Sequence, residues 1–298
     1  MRCGVASRIA ELRAAAHVLL CALALIPGTA QAQGNYIDLG PDPYVPTPPS
    51  IVARMLELAQ VKPDDLVVDL GSGDGRLVIA AAKIYGARGL GFEIDMSLIR
   101  EAEEGARAAG VADRVRFEAR DLFAADLSQA EVLTLYLLPA TNEKLKPKIL
   151  AEMRPGTRVV AHQFDLGDWT PDVMERMQAP EIASRVHGER LVYLWIVPAR
   201  VAGRWTLVRE SGLDGAITLD LEQRYQRIVL KGESAAAPRF APMHGALLRF
   251  SVPMPAPLAG EYSGVVAGDA MHGDFVAADG TKGTWRAARL RADAEIAQ

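Results

Sequence analysis

The pattern of apolar and polar positions divides the chain into two regions with different periods. Between positions 50 and 198, short apolar runs alternate with segments of helical spacing. The runs predict strands at 66–70, 89–94, 115–119, 132–138, 158–164, 182–186 and 191–197. Helical spacing follows Ser50, the predicted cap of a first helix, and recurs at 76–84, 97–109 and 142–153. Apolar strands that alternate with helices indicate a parallel sheet covered on both faces, so this region is predicted to be a Rossmann-like α/β domain.

The edge of this sheet is expected to differ from its centre. No clear helical pattern separates the last two predicted strands, and His187-Gly188-Glu189 stands between them. An antiparallel hairpin is therefore predicted at the edge of the sheet.

Beyond position 203 the helical period disappears. Strand candidates follow at 205–209, 216–221, 225–230, 247–252, 262–266, 274–277 and 284–290. Apolar residues at every second position, as in Ile217, Leu219 and Leu221, give each strand one buried face. The predicted product is a small all-β domain over 204–298, an antiparallel barrel or sandwich, joined by a linker at 199–203.

The N-terminus has the features of a secretory signal peptide. Arg2, Arg8 and Arg13 precede an apolar run at 14–26, and Ala30-Gln31-Ala32 follows it. The run is shorter than the ~20 residues of a spanning helix, so cleavage after Ala32 and export, to the periplasm in a bacterial host, are predicted. An uncleaved N-terminal anchor is the alternative. Residues 33–49 are rich in proline and are expected to form an extended arm in front of an α/β domain at 50–198.

Composition and charge exclude several classes of protein. A hydrophobic content of 50% against 23% charged residues is incompatible with a disordered chain. Loss of the signal segment removes both cysteines together with three arginines and one glutamate, which changes the net charge from −4 to −6. An acidic chain without a basic patch is not expected to bind nucleic acid. The sequence carries no signal for an oligomeric state.

Candidate chemistry lies in the turn between the first strand and the next helix. Gly71, Gly73 and Gly75 allow a sharp turn and the close approach of a ligand to the backbone. Arg76 stands where a dinucleotide fingerprint would have its third glycine. Asp69 and Asp74 flank the loop and would repel a pyrophosphate, whereas the ammonium and sulfonium of S-adenosylmethionine would be attracted. The loop therefore favours S-adenosylmethionine as cofactor.

Two further acids follow the next strands. Glu93 ends the second strand, where a carboxylate can accept hydrogen bonds from both ribose hydroxyls. Asp121 follows the third strand, where its carboxylate can accept a hydrogen bond from the adenine amino group. Each acid alone could equally be a solvated cap of a strand end, and the ordered set with Asp69 favours the binding role.

These motifs resemble a known group of enzymes. The stretch from Val68 to Arg76, together with Glu93-Ile94-Asp95, is similar to the class I, seven-stranded S-adenosylmethionine-dependent methyltransferases. Pro43-Tyr44-Val45-Pro46-Thr47-Pro48, Tyr136-Leu137-Leu138-Pro139 and Val160-Ala161-His162-Gln163-Phe164 resemble the FAM173-like protein-lysine methyltransferases, relatives of the DOT1 type. The resemblance covers residues 43–198 and leaves out the β domain. Members of that group act inside cells or organelles, whereas this chain has a predicted export signal.

The resemblance implies roles for individual residues. Asp69 and the three glycines would hold the methionine end of the cofactor, Glu93 the ribose and Asp121 the adenine. Tyr44 and Thr47, in the arm, would fold over the cofactor as a lid. Tyr136 and Pro139 would line the methyl-transfer channel.

Two side chains are candidates for catalysis. Tyr136 could orient the acceptor amine through its hydroxyl, and the alternative is a buried aromatic of the strand. His162 could act as a base behind the acceptor, and the alternative is a structural, hydrogen-bonded histidine. No metal site is predicted, because the four histidines of the mature chain lack ligand spacing. Met243-His244-Gly245 and Met271-His272-Gly273 are interpreted as turns that close hairpins.

Three hypotheses follow for function. The first is methyl transfer to protein lysine, with the β domain helping to recognise the substrate. The second is methyl transfer to a small molecule that the β domain helps to enclose. The third is a non-catalytic exported binding protein that retains the fold, since S-adenosylmethionine is made in the cytoplasm.

Overall fold

The computed structural model describes residues 44–180, 189–210, 215–231, 238–253 and 258–290. The predicted signal segment, the arm up to residue 43, the predicted strand 182–186 and the predicted turn at His187 lie outside these ranges. No helix in the described part of the chain is long and apolar enough to span a bilayer.

The first domain is a seven-stranded mixed sheet with helices on its faces. Its strands are β1 Leu66–Leu70, β2 Arg88–Glu93, β3 Val115–Ala119, β4 Val132–Leu135, β5 Arg158–His162, β6 Val173–Gln178 and β7 Glu189–Ile196. Its helices are α1 Pro49–Leu58, α2 Arg76–Tyr85, α3 Met96–Ala109 and α4 Pro139–Glu152, with a 3-10 turn at Leu122–Ala124. The strand order is β3-β2-β1-β4-β5-β7-β6; the first five strands are parallel, and β7 runs antiparallel to both β5 and β6. The predicted α/β fold is confirmed.

Prolines set two helix starts that the sequence interpretation placed later. Helix α1 begins at Pro49 with Pro48 as its cap and no capping side chain, so the prediction of Ser50 as cap was wrong. Helix α4 begins at Pro139 instead of residue 142, and β4 ends at Leu135 instead of residue 138. Proline suits the first helical turn because its missing N–H would have no partner there. Strand β5 likewise ends at His162, two residues earlier than predicted.

The antiparallel edge is built from a strand that the sequence interpretation missed. Strand β6 is Val173–Gln178, and it pairs with β7 from Val173–Leu194 to Gln178–Glu189. Its alternating half-buried and exposed positions include Glu175 and Arg176, so it lacks the apolar run used to find the inner strands.

The second domain is an antiparallel sheet of eight strands that is nearly closed into a barrel. Its strands are β8 Gly203–Arg209, β9 Ile217–Arg224, β10 Arg227–Leu230, β11 Arg239–Phe240, β12 Leu247–Val252, β13 Gly260–Ala267, β14 Ala270–Ala277 and β15 Lys282–Arg289. The order is β10-β9-β8-β15-β14-β13-β12-β11, and the two end strands lie beside each other. Strand β11 was not predicted, because a two-residue strand has no detectable period.

Side chains fill the interior of the barrel. Trp205, Phe250, Tyr262, Phe275 and Trp285 are each no more than 3% exposed. The rings of Phe250 and Tyr262 stack at a centroid distance of 4.6 Å, and Trp285 meets Phe250 edge to face at 5.4 Å. The nearly closed barrel therefore surrounds a packed aromatic core.

The two Met-His-Gly sequences have different places in the barrel. His244 and Gly245 lie in a turn before β12, as predicted. Met271-His272-Gly273 lies inside β14, so its interpretation as a turn was wrong. Gly273 is needed there because a Cβ would come within 2.0 Å of the Ser263 carbonyl oxygen on β13. The close approach of two strands, and not a reversal of the chain, explains this glycine.

The barrel joins the first domain at the amino end of its parallel strands. Arg200 donates hydrogen bonds to the carbonyls of Leu150 and Ala151, near the last turn of α4. Gly245 packs against Gly156, just before β5 begins. Strand β5 rises about 3.3 Å per residue from there to His162, so the junction lies more than 10 Å from the opposite edge.

Candidate active site

The glycine loop after β1 lies at the carboxyl edge of the sheet. The amides of Gly71 and Ser72 both donate to the carbonyl of Phe92 at the end of β2, at 2.9 and 3.0 Å. Gly73 has φ +53°, and a Cβ on it would lie 2.4 Å from the Tyr44 ring. The loop therefore has a backbone that favours glycine, and the absent side chain leaves the space in which Tyr44 of the arm packs.

Asp69 is a buried carboxylate next to this loop. It is 3% exposed and accepts a hydrogen bond of 2.6 Å from Thr134 Oγ1 on β4. Burial raises the pKa of Asp69 to about 8; the Thr134 bond opposes this effect, and the negative charges of Asp74 and Glu93 add to it. No Lys or Arg of the described chain forms an ion pair with it. A bound cation would stabilise the ionised form of Asp69 and lower its pKa. The ammonium group of S-adenosylmethionine is a cation of this kind.

Asp74 has a different role from the one predicted. It pairs with Arg76, with Nη2 and Oδ2 2.5 Å apart. Burial opposes ionisation, but the hydrogen bonds and charge of Arg76 lower the pKa of Asp74 overall. The charge of Asp74 is thus largely neutralised by Arg76, whereas Asp69 has no basic partner among the described residues.

Arg76 also connects the loop to the arm, a role that the sequence interpretation missed. Its Nη1 donates to the carbonyl of Thr47 at 2.8 Å. The replacement of the third fingerprint glycine by arginine was the available signal. The structure thus brings both predicted lid residues, Tyr44 and Thr47, to the loop.

Glu93 and Asp121 lie where the sequence placed them, at the ends of β2 and β3. Glu93 Oε2 accepts from the Gly73 amide at 3.0 Å, and its Oε1 accepts from the amides of Ile94 and Asp95 at 2.8 and 3.0 Å. Asp121 is exposed and accepts from the Phe123 amide at 2.8 Å. Both acids therefore cap local backbone, and each carboxylate keeps acceptor sites for a ligand.

Aromatic side chains form a second part of the site beside Asp69. The ring of Tyr136, which directly follows β4, lies 3.9 Å from the ring of His162 and 6.3 Å from that of Phe164. Burial raises the pKa of the Tyr136 hydroxyl. His162 is 1% exposed, and its Nδ1 lies 3.3 Å from Thr47 Oγ1. We call Tyr136, His162, Phe164 and Thr47 the aromatic channel.

His162 is neutral in this environment. Burial lowers its pKa to about 3, with a further contribution from the charge of Arg190. At neutral pH the imidazole can accept or donate a hydrogen bond, but it holds a second proton poorly. A neutral ring of this kind is better suited to hydrogen bonding than to accepting a proton, and the role of His162 as a base stays a prediction.

Two residues that the sequence interpretation missed shape the channel. Gln163 has φ +68°, an unusual conformation for a side chain other than glycine, and it stands between His162 and Phe164. Asn142 in α4 donates to the carbonyls of Phe164 and Asp165 at 3.3 and 3.0 Å. Strained or fully buried polar residues of this kind concentrate at functional sites.

Two methyltransferase families match the chain. The ANTKMT methyltransferase domain matches residues 69–173, and the histone methylation protein DOT1 matches residues 25–111. The protein-lysine N-methyltransferase of Saccharolobus islandicus (strain REY15A) is 42% identical over 156 residues, which cover 52% of this chain and 93% of that protein.

The chain belongs to the class I S-adenosylmethionine-dependent methyltransferases. It is thus an enzyme whose cofactor is S-adenosylmethionine, and the non-catalytic alternative is set aside. The buried acid, glycine loop and strand-end carboxylates fit that cofactor as described above.

Two further proteins are similar to part of the chain. The adenine nucleotide translocase lysine N-methyltransferase of Mus musculus is 34% identical over 129 residues, 43% of this chain and 56% of that protein. Among solved structures, an RNA methyltransferase from Salinibacter ruber with S-adenosyl-L-homocysteine is 49% identical, covers 53% of this chain and 96% of that one, and has a TM-score of 0.47. The described residues contain no cluster of His, Cys, Asp and Glu that could hold a metal ion.

Proposed function

We propose that the enzyme transfers methyl groups to the Nε atom of lysine in a protein. The observation that carries the proposal is the aromatic channel, in which His162 and Thr47 are buried and one imidazole nitrogen has no partner among the described residues. The Saccharolobus relative, of which the chain covers 93%, is named a protein-lysine N-methyltransferase, and this name supports the same acceptor.

The residues of the chain bind and align the two reactants. Asp69 with the three glycines would hold the methionine end of the cofactor, Glu93 the ribose and Asp121 the adenine. When bound, S-adenosylmethionine supplies an electrophilic methyl group. Transfer is an in-line displacement, so the chain mainly has to orient the nucleophile and exclude water.

The channel favours the reactive form of the acceptor. A lysine amine has a reference pKa near ~10.4, and transfer from water into an apolar slot lowers this value because the charged form loses its solvation. The rings of Tyr136 and Phe164 supply the apolar walls, and the Tyr136 hydroxyl can contact the amine. Arm residues Tyr44 and Thr47 cover the site and limit the entry of water.

The barrel takes no direct part in the channel. It joins the first domain at the amino end of the strands, whereas the aromatic channel lies at the carboxyl end. We infer that recognition of the acceptor near the reacting nitrogen depends on the first domain and the arm. This arrangement does not favour a small-molecule acceptor enclosed by the barrel.

Labelled methyl transfer tests the acceptor. The full chain is incubated with methyl-labelled S-adenosylmethionine and one of four acceptors: a lysine-rich peptide, the same peptide with its lysines acetylated, free lysine or an RNA transcript. Label is expected only in the unmodified peptide, and the Asp69→Asn variant should give none. Label in free lysine or RNA, or in none of the four while calorimetry shows cofactor binding, would overturn the proposal.

Export is the second part of the proposal. Its support is the basic residues, the short apolar run at 14–26 and the small residues before Gln33. A fusion of residues 1–40 to alkaline phosphatase, which needs an oxidising compartment, should be active in the periplasm of a bacterial host and begin at Gln33. The matched control carries Leu23→Arg and Leu25→Arg. Equal activity of the two fusions would contradict export, and an unprocessed fusion would identify an anchor.

A further inference from the structure

His162 carries an unpaired ring nitrogen inside the aromatic channel. Its side chain is 1% exposed, and Nε2 has no hydrogen-bond partner among the described residues. An unpaired buried polar group costs about 1–3 kcal/mol, so such an atom usually has a partner in the functional state.

The other ring nitrogen indicates which form of the imidazole is present. Nδ1 lies 3.3 Å from Thr47 Oγ1, and Thr47 is itself 4% exposed. A buried N–H without an acceptor is rarer than a buried lone pair without a donor. The proton is therefore assigned to Nδ1, which donates it to Thr47, and Nε2 keeps its lone pair. The low pKa of about 3, caused by burial, agrees with a neutral ring.

The position of this lone pair follows from the register of the strands. Leu135 of β4 pairs with Ala161 of β5, so the next residues, Tyr136 and His162, lie side by side with their rings 3.9 Å apart. Asp69 pairs with Thr134 on the other side of β4. The unpaired nitrogen thus belongs to a residue on β5, and strand β4 lies between it and Asp69, the carboxylate expected to hold the cofactor.

We propose that His162 Nε2 accepts a hydrogen bond from an N–H of the acceptor amine, and that this contact makes the site selective for primary and secondary amines. The inference rests on the proposed function, and it adds a prediction of how many methyl groups one lysine receives with the help of this contact. His162 is a positioning and charge-stabilising group here, and Thr47 is the residue that orients it.

The contact gains strength during the reaction. The amine lone pair forms the new N–C bond while the electron pair of the C–S bond stays on sulfur. The nitrogen becomes positively charged, so its N–H is a stronger donor to Nε2. The weakly basic imidazole does not keep the proton, which leaves to water with the product. A neutral dimethylated lysine has no N–H, and a third transfer proceeds without this contact.

The test compares three acceptors that differ only in methyl groups. A lysine peptide is prepared in unmodified, monomethyl and dimethyl forms, and kcat/KM is measured for each with the full-length wild type and the His162→Leu variant. A loss of about tenfold is expected for the first two peptides, with the dimethyl peptide unchanged within twofold. An equal loss on all three peptides, or no loss on any, would overturn the proposal.

Controls separate this role from a structural one. The His272→Leu variant changes an exposed histidine on β14 of the barrel and should leave all three rates unchanged. Thr47→Val should lower kcat/KM for the unmodified and monomethyl peptides by a smaller factor than His162→Leu. Thr47→Ser, which keeps the hydroxyl, should have the wild-type kcat/KM for both peptides. Cofactor binding by calorimetry must remain within twofold of wild type in every variant. A wild type that binds cofactor but methylates none of the three peptides refutes the proposed lysine function, and the inference with it.

Discussion

Two aspartates, one exposed and one buried, show how differently the two regions of the molecule supply partners to a carboxylate. Asp168, at the junction with the barrel, accepts hydrogen bonds from Lys146, Tyr225 and Arg224 at 2.5, 2.6 and 2.8 Å, and these bonds lower its pKa. Asp69, at the glycine loop, accepts one bond from a neutral hydroxyl, and its pKa is raised. The junction satisfies its own polar groups, whereas the site leaves them to a ligand.

The junction has further bonds of the same kind. Trp169 Nε1 donates to Gln226 Oε1 at 2.9 Å, and Gln226 in turn donates to the carbonyl of Thr170 at 2.8 Å. The rings of Trp169 and Tyr225 stack at 5.6 Å. The barrel is therefore fastened to the first domain by specific polar and aromatic contacts. None of the buried side-chain polar atoms that lack a partner in the described part of the chain lies at this junction.

The largest expected effect is a pH dependence of the cofactor-free protein that originates at Asp69. Its pKa is about 8 in the folded chain and close to 3.8 when unfolded, so between these values the folded state binds the extra proton. Stability is therefore greatest at low pH within this window and falls by several kcal/mol as the pH rises from about 4 to 8.

Thermal melting at stepwise pH measures this effect. The Asp69→Asn variant has no titrating group there, so its melting temperature should fall less than that of wild type over the same range. Parallel curves for the two proteins would show that Asp69 does not carry an unfavourable charge. Saturating S-adenosylmethionine should flatten the wild-type curve, because the bound cation offsets the charge.

The next effect is on cofactor affinity. Asp69→Asn removes the buried counter-charge and is expected to raise the Kd for S-adenosylmethionine about a hundredfold, which corresponds to about 2.7 kcal/mol. The melting temperature of the cofactor-free variant should not fall at pH 8. Isothermal calorimetry measures the Kd. A loss of stability as large as the loss of affinity would mean that Asp69 is structural.

Asp168→Asn should lower the melting temperature and leave the cofactor Kd unchanged, which is the reverse of the result expected for Asp69→Asn. The variant weakens the bonds that hold Lys146, which is only 8% exposed, and the melting temperature is expected to drop by a few degrees. The Kd for the cofactor should remain within twofold of wild type. A variant that binds the cofactor tenfold more weakly at unchanged melting temperature would contradict the separation of the two regions.

The smallest predicted effect concerns the arm. Arg76→Gln removes the ion pair with Asp74 and weakens the bond to the Thr47 carbonyl, so the arm should close less often over the loop. The cofactor Kd is expected to rise a few-fold. Arg116→Gln, on the exposed part of β3, is the matched control and should change nothing. Equal Kd values for both variants would show that Arg76 does not hold the arm.

Much of the first domain could be predicted because its signals are local. Strand β1 and helix α2 have the expected starts, and the acids Asp69, Glu93 and Asp121 follow their strands as the pattern required. Edge strand β6 was not predicted, because a half-exposed strand alternates polar and apolar residues and its charged positions resemble a solvated loop. The helix start at Pro49 was placed late because Ser50 was taken as the cap, and the start at Pro139 was placed late because the apolar run at 132–138 was interpreted as a strand.

The candidate site was only partly accessible from the sequence. Tyr136 and His162 were identified from short motifs, but the neutrality of His162 and its bond to Thr47, 115 residues away, depend on burial. The arginine in place of the third fingerprint glycine did not reveal the contact of Arg76 with the Thr47 carbonyl, and no local pattern marked the positive φ of Gln163. Contacts between distant segments decide such features, and periodicity does not encode them.

The sequence alone determined the inner strands and the helices of the first domain, the glycine loop and the acids that follow it, since each depends on neighbours a few positions apart. Tertiary structure decided which carboxylates of the protein have a cationic partner. Asp168 lies beside the buried Lys146, 22 positions away, whereas Asp69 is enclosed beside the hydroxyl of Thr134 with no cation among the described residues. The energy of a buried charge depends on its solvation and its partners, and both exist only after the chain has folded.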